Sequence, residues 1–310
     1  MVLVMITEDA GSTPRDSGTW MLVSHGRTHG TLGGGQLEKI AEEEATRLLN
    51  STVSKQRSTL RCLLGPDAQQ CCGGAVNLAF ELLNSNAIYW LREAKKSIED
   101  NTQDAVLFPI TDPIAMPMII SAEPKVATTS GIHLQSLGDQ RPWLFLFGAG
   151  HVGCSVCAIA SQLPIRVVVL DARSSRRALV PKANNVTVTD MDDPELCVKQ
   201  IPGNASALVM THSHELDYIL CRALLERLDL RFIGLIGSRS KAARFRHRLQ
   251  REGISPQLIK RLTSPIGEAG PCGKEPGIIA LSALSEIMRT FKSGDAGIQI
   301  KSSNSINAFS

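Results

Sequence analysis

The sequence predicts an α/β protein in two parts, an N-terminal mixed α/β domain followed by a Rossmann-like, doubly wound parallel-sheet domain. Three observations carry that prediction. Apolar runs in the second half alternate with stretches long enough for helices, and the glycine pattern Gly148-Ala-Gly150-His-Val-Gly153 follows directly on the strand-like WLFLF. Between this grammar and a less regular first half lies the polar stretch SAEPKVATTSGIHLQSLGDQR.

In the first half, runs at 2–6, 21–23, 60–64, 76–83 and 105–110 read as strands of a mixed sheet. One helix is plain: after GGG, the residues Leu37, Ile40, Ala41, Ala45 and Leu48 share a face, with Glu38, Glu42 and Glu43 largely elsewhere. Residues 1–120 are therefore taken as the first domain and 121–141 as a linker that ends in a short strand. From 142 to 292 the runs 143–147, 167–170, 186–188, 207–210 and 232–236 are the expected parallel strands. The final 293–310, ending KSSNSINAFS, read as a disordered tail.

Composition bounds the function. The 310 residues are 43% hydrophobic and 20% charged, enough for two cores. No apolar run approaches the roughly 18–20 residues needed to span a bilayer, and MVLVMI lacks the basic flank of a secretory signal. The expected compartment is the cytoplasm, where eight cysteines without framework spacing are reduced thiols. Residues 1–141 hold 12 Lys/Arg against 16 Asp/Glu, whereas 142–310 hold 21 against 14. A basic second half without interleaved aromatics suits an anionic small molecule or an acidic partner surface better than nucleic acid.

Gly148, Gly150 and Gly153, with His151 opening the next helix, form a turn that brings a pyrophosphate against free N–H groups; RVVVLDAR then ends at Asp171, where the fingerprint places an acid for a ribose hydroxyl. Two more clusters fall after strands. In Thr211-His212-Ser213-His214-Glu215-Leu216-Asp217 the two histidines suggest a zinc pattern, but the acid stands one place late. Hydrogen bonds from His212 and His214 to a ligand, or simple helix capping, are the readings kept. In LIGSRSKAARFRHRL, Ser238, Arg239 and Lys241 at a helix start make an anion grip, while Arg246, His247, Arg248 and Arg251 read as a solvated face. Cys154 and Cys157 have CxxC spacing within the glycine-loop helix and read as core packing.

The first half offers three places where a ligand could approach bare backbone: Gly11–Arg15 with Ser12, Thr13 and Arg15; Gly33, Gly34 and Gly35 leading into Glu38; and Cys71-Cys72-Gly73-Gly74. In this order, with FGAGHVG, MTHSHELD, LIGSRSKAARFRHRL and the spaced PIG, GK and P between 265 and 276, these motifs resemble the XdhC/CoxI family of accessory proteins for xanthine dehydrogenase and related molybdenum hydroxylases. The resemblance runs from about residue 2 to residue 290. It implies a chaperone that binds molybdenum cofactor, protects it while an oxo ligand is exchanged for sulfido with a cysteine desulfurase as sulfur donor, and helps deliver it to the apo-hydroxylase. A homodimer and an added nucleotide on the cofactor stay open.

The family's chain usually has a helical segment before the first strand, which here begins almost at Met1, so the sequence is expected to be short at that end. Trp20 and Glu268 also depart from the pattern, standing where a small or basic residue and an apolar one are more familiar. The family places its cysteine immediately before the two glycines, which assigns Cys72 a molybdenum or persulfide contact and leaves Cys71 auxiliary. Two buried small residues at a strand entry are the plain alternative. The competing class is an enzyme, an NAD(P)-dependent oxidoreductase of a small carbonyl compound with His212 or His214 as proton donor, which leaves the three first-half motifs unexplained.

Overall fold

Val2, Val4 and Ile6 alternate with Leu3 and Met5, and both sets turn inward because this strand is covered on both faces. The computed structural model describes residues 1–51, 56–65, 73–100, 102, 104–121, 127–129 and 131–291, which fall into two units parting between Gln140 and Arg141. The N-terminal unit runs β1 (Val2–Ala10), β2 (Trp20–Ser24), β3 (Arg27–Gly30), α1 (Gly35–Leu49), β4 (Arg57–Leu63), β5 (Ala75–Leu82), α2 (Ile88–Glu99), β6 (Asp104–Pro109), β7 (Met118–Ser121), β8 (Ala127–Thr129) and β9 (Ile132–Ser136).

Its strands make two sheets, β3-β2-β1-β5-β4 and β7-β6-β9-β8. Every pairing among the described residues is antiparallel, which corrects the expectation of a mixed sheet. The α1 face carrying Leu37, Ala41, Ala45 and Leu48 packs on Val2, Val4 and Ile6; burying a leucine of this kind stabilises by about 1.5–3 kcal/mol. On the opposite face Met5 and Ala79 meet Trp90 and Ala94 of α2 and Val106 and Phe108 of β6.

The stretch read as a linker is part of this unit. It holds β8 and β9, and β9 pairs along β6 from Ala105↔Ser136 to Pro109↔Ile132. The expected tail at 293–310 lies outside the described residues.

The C-terminal unit runs β10 (Trp143–Phe147), α3 (His151–Ala160), β11 (Arg166–Leu170), α4 (Ser174–Arg177), β12 (Val186–Thr189), α5 (Pro194–Lys199), β13 (Ser206–Val209), α6 (His214–Glu226), β14 (Phe232–Leu235), α7 (Arg239–Arg251), α8 (Pro256–Ile259), β15 (Leu262–Thr263) and α9 (Pro276–Met288). Strand order β12-β11-β10-β13-β14-β15, parallel throughout, reverses direction between β10 and β13. In such a sheet ligands sit in the crevice beyond the strands' carboxyl ends at that reversal. Cores on its two faces account for the near-continuous apolar strands. Cys157 is fully buried against α9 and the sheet, so the packing reading of that cysteine holds; burial pushes its thiol up to about 12. Among the described residues no helix is long and apolar enough to cross a membrane.

Candidate functional site

Antiparallel pairing draws the first-half motifs together. The register of β1 with β5 ends at Ala10↔Ala75, so Gly11 and Ser12, leaving β1, lie beside Gly73 and Gly74, entering β5. A Cβ on Gly74 would stand 2.4 Å from Ser12 O and 2.7 Å from Ala10 O, and one on Gly11 would stand 3.2 Å from Gly74 Cα. The third motif closes the same corner, since a Cβ on Gly33 would lie 2.7 Å from Pro14 Cβ and 3.3 Å from Arg15 Cγ. The loop is pinned underneath by Gly18 N–H to Ile6 O (2.8 Å) and Ser17 Oγ to Thr7 O (2.7 Å).

These glycines divide by purpose. Gly33 and Gly74 are needed so that one chain segment can touch another. Among the described residues a Cβ on Gly34 or Gly73 would meet nothing within 4 Å, so the backbone is open at both. Gly33, Gly34 and Gly35 have φ of +109°, +80° and +68°, a run that L side chains rarely adopt. Glu38 holds it: its Oε2 accepts from Thr31 Oγ1 (2.7 Å), Gly34 N–H (3.0 Å) and Leu32 N–H (3.1 Å). The Thr31 hydroxyl and the two amides keep its carboxyl below the usual range, against its partial burial. Glu38 thus braces the turn through Oε2. Ser12 and Arg15 are exposed and Thr13 half-buried; no described residue bonds the Arg15 guanidinium. Cys71 and Cys72 lie outside the described residues.

The second-half motifs gather at the carboxyl edge of the parallel sheet. Gly148 has φ +119° and its absent Cβ would stand 2.5 Å from Met210 O; one on Gly153 would stand 2.2 Å from Gly148 O. Both glycines serve the turn, whereas Gly150, in ordinary extended geometry at the start of α3, faces open space. His151, His212 and His214 are exposed, and Ser213 caps α6. Among the described residues no three His, Cys, Asp or Glu side chains are grouped to hold a metal ion.

The charged residues behave differently from their sequence reading. Asp171, 3% exposed, accepts Ala149 N–H at 2.8 Å and is gripped by Arg173 through its backbone N–H, Nε and Nη2 at 2.9, 2.9 and 2.7 Å. Burial opposes ionisation there, but the Arg173 bonds and the Ala149 amide outweigh it and hold the carboxyl well below the usual range. The expected ribose acceptor is therefore already filled.

Lys241 is no exposed anion grip. It is buried, with Nζ 2.5 Å from Oδ2 of the fully buried Asp217 and 3.1 Å from Ile236 O. Asp217 also accepts from Thr211 N–H (2.9 Å) and Oγ1 (2.7 Å), so the acid that stood one place late for zinc ties the β13–α6 turn to the β14–α7 turn. Ser238 caps α7, and exposed Arg239 pairs with Glu268 at 2.8 Å, which gives the unusual Glu268 a role. Two of the arginines read as a solvated face are also engaged. Arg246 donates to Ser264 O (2.6 Å); Arg248 meets both Glu215 oxygens (2.7 and 2.8 Å) and lies 3.7 Å over the Tyr218 ring.

The Asp217–Lys241 pair escaped the sequence reading, although a signal existed: Asp217 and Lys241 each follow a capping serine, Ser213 and Ser238, within about one turn. A cleft of about 580 Å³ elsewhere in the unit, walled in part by Tyr218, Arg222 and Arg248, contains none of the expected cofactor residues.

Fold and site together define a two-unit α/β protein whose second unit is a Rossmann sheet with its glycine turn at the switch point and whose first gathers three glycine loops at one corner. Residues 144–287 match the XdhC Rossmann domain and residues 1–61 the XdhC and CoxI family; the chain belongs to the XdhC family. It is 24% identical over 306 residues to the uncharacterized protein YqeB of Escherichia coli (strain K12), covering 97% of this chain and 46% of that protein. It is 29% identical over 172 residues to a probable xanthine dehydrogenase subunit of Bacillus subtilis (strain 168), covering 54% of this chain and 48% of that protein. The chain thus spans about half the length of the curated relatives it matches. A crystal structure described as a xanthine dehydrogenase from Bacillus halodurans has the same fold, with TM-score 0.72 at 22% identity over 97% of this chain and 93% of that one.

Proposed function

We propose that this chain carries molybdenum cofactor as cargo for a xanthine dehydrogenase or a related molybdenum hydroxylase, and holds it while its oxo ligand leaves as water and is replaced by sulfido, formed from the persulfide sulfur of a cysteine desulfurase with two electrons from a thiol reductant. The observation that carries this reading is the corner of the N-terminal unit, where Gly34 and Gly73 offer open backbone beside Arg15, whose guanidinium bonds no described residue. A pterin bearing a dithiolene and a phosphate needs close main-chain approach and a cation, and both are available there. Cys72, next in sequence to Gly73, would add a soft sulfur donor suited to molybdenum or to a persulfide. Taken by itself, the second unit has the open face of Gly150 at the α3 N-terminus, which suits an anionic ligand.

Family membership supports the same reading, and the name of the Bacillus subtilis relative supports the client class. The test is reconstitution. Apo-hydroxylase made without this chain should be folded and inactive, and adding the chain with cofactor and a sulfur donor should restore turnover in proportion to the chain supplied. Multiple-turnover reduction of a small carbonyl compound with NAD(P)H, with no effect on the hydroxylase, would instead identify an oxidoreductase.

A further inference from the structure

Asp171 follows β11 where a Rossmann sheet ordinarily offers a carboxylate to the two hydroxyls of a ribose. A carboxylate has about four lone-pair sites. Here the described donors, Ala149 N–H and three N–H groups of Arg173, take all of them, and the group is 3% exposed. A ribose diol finds no acceptor at this position unless Arg173 leaves.

What the strand end presents instead is arginine. The Arg173 side chain is 32% exposed, and its Nη1 bonds no described residue. One turn on, Arg176 is half-buried and its guanidinium makes no hydrogen bond or ion pair with a described residue, whereas Arg177 is spent on Asp171 O (2.6 Å) and Asp190 (2.7 Å). Gly150, across the turn, is open. Guanidinium at this end of the crevice is the arrangement that accommodates a phosphate on the sugar in place of a free hydroxyl.

We propose that the β11 end of the C-terminal unit selects ligands carrying a phosphate monoester over ligands offering a free ribose diol, and that Arg173 sets this choice by occupying Asp171 while presenting its own remaining donors, with Arg176 beside it. The inference rests on the reading that the Gly148–Gly153 turn receives a ligand.

The test is titration of the full chain with NADP⁺, NAD⁺ and adenosine 2′,5′-bisphosphate, with cofactor retention measured separately. NADP⁺ and the bisphosphate should bind at least about tenfold more tightly than NAD⁺, the factor that one charge-assisted bond supplies. Arg173→Ala should bring NADP⁺ and NAD⁺ within about threefold of each other, weakening the first and strengthening the second as Asp171 is freed. A purely structural role would weaken both alike. Should Arg173→Ala fail to fold, Arg176→Ala, which leaves the Asp171 shell intact, should weaken NADP⁺ several-fold and leave NAD⁺ unchanged. Equal or tighter binding of NAD⁺ by the wild type, binding of neither dinucleotide, or an unaltered preference in both variants overturns the proposal. Retained cofactor with a preference for NAD⁺ would defeat this inference alone, and a preference for NADP⁺ without cofactor retention would defeat the carrier reading alone.

Discussion

The two units keep their motifs in place by different means. In the C-terminal unit charge answers charge: Asp171 takes Arg173, Asp217 takes Lys241, Arg239 takes Glu268 and Arg248 takes Glu215. In the N-terminal unit the corner is held by close approaches that only glycine permits, Gly33 against the Pro14 and Arg15 side chains and Gly74 against the backbone of Ala10 and Ser12, and Arg15 hydrogen-bonds no described residue. Excess charge in a sequence is therefore a poor guide to available charge. The second half is the more basic, with 21 Lys/Arg against 14 Asp/Glu, yet several of the cations that its motifs display are committed internally.

The largest effect should come from breaking the buried pair. Lys241→Met leaves the buried Asp217 carboxyl without its partner, and urea unfolding should show a loss of about 3–5 kcal/mol from the C-terminal unit. Combining it with Asp217→Leu should recover much of that loss. Arg239→Ala, whose side chain is 86% exposed, should leave the unfolding midpoint close to that of wild type. Equal losses in the two single variants would erase the distinction drawn between a committed and a surface cation.

The N-terminal counterpart compares neighbouring glycines. Gly74→Ala drives a Cβ into Ser12 O and should cost about 1–3 kcal/mol, whereas Gly73→Ala, which meets nothing within 4 Å, should stay within about 0.5 kcal/mol. Hydrogen exchange of β1 and β5 reads the difference directly. If both are silent, the corner is not held by backbone contact.

A smaller effect separates the units by pH. Asp171 has its folded pKa below its unfolded value of about 3.9, so its contribution is complete above that pH and is lost as pH falls through the carboxylate range. Acid titration of the C-terminal unit should show this loss, and Arg173→Ala should make the slope shallower; an unchanged slope would mean that the Arg173 contacts do not set it.

Much of the fold was legible because strand burial is written in apolar residues: β10, β11 and β13 are nearly unbroken runs, and α1 shows its period through Leu37, Ala41, Ala45 and Leu48. A short strand at the end of 121–141 was legible, but its place in the sheet was not, because β9 buries His133 and Ser136 rather than aliphatics. Hydrogen bonds satisfy the histidine's polarity, with Thr128 Oγ1 2.9 Å from His133 Nδ1 and donating to Thr7 O, and a polar buried strand has no period-2 apolar signal. At the site, sequence spacing located the loops but not their partners. Asp217 and Lys241 are 24 residues apart, and only the parallel register of β13 with β14 brings them together. The bracing bonds of Glu38 were hidden for the same reason: its partners Thr31, Leu32 and Gly34 are backbone and hydroxyl groups that a motif does not display.

The carrier reading is tested most directly by the molybdenum cofactor that purifies with the chain from a host able to make it, measured as oxidised pterin fluorescence per chain. Wild type should retain cofactor up to one equivalent. Gly73→Val, at a position with nothing within 4 Å, and Cys72→Ser should each fold normally and retain markedly less, with Cys71→Ser affected less than Cys72→Ser. Arg15→Ala should fall with them. Folded Gly73→Val, Cys72→Ser and Arg15→Ala proteins that all hold as much pterin as wild type, or a wild type that holds none, would contradict the assignment of this corner as the place where the cofactor is carried.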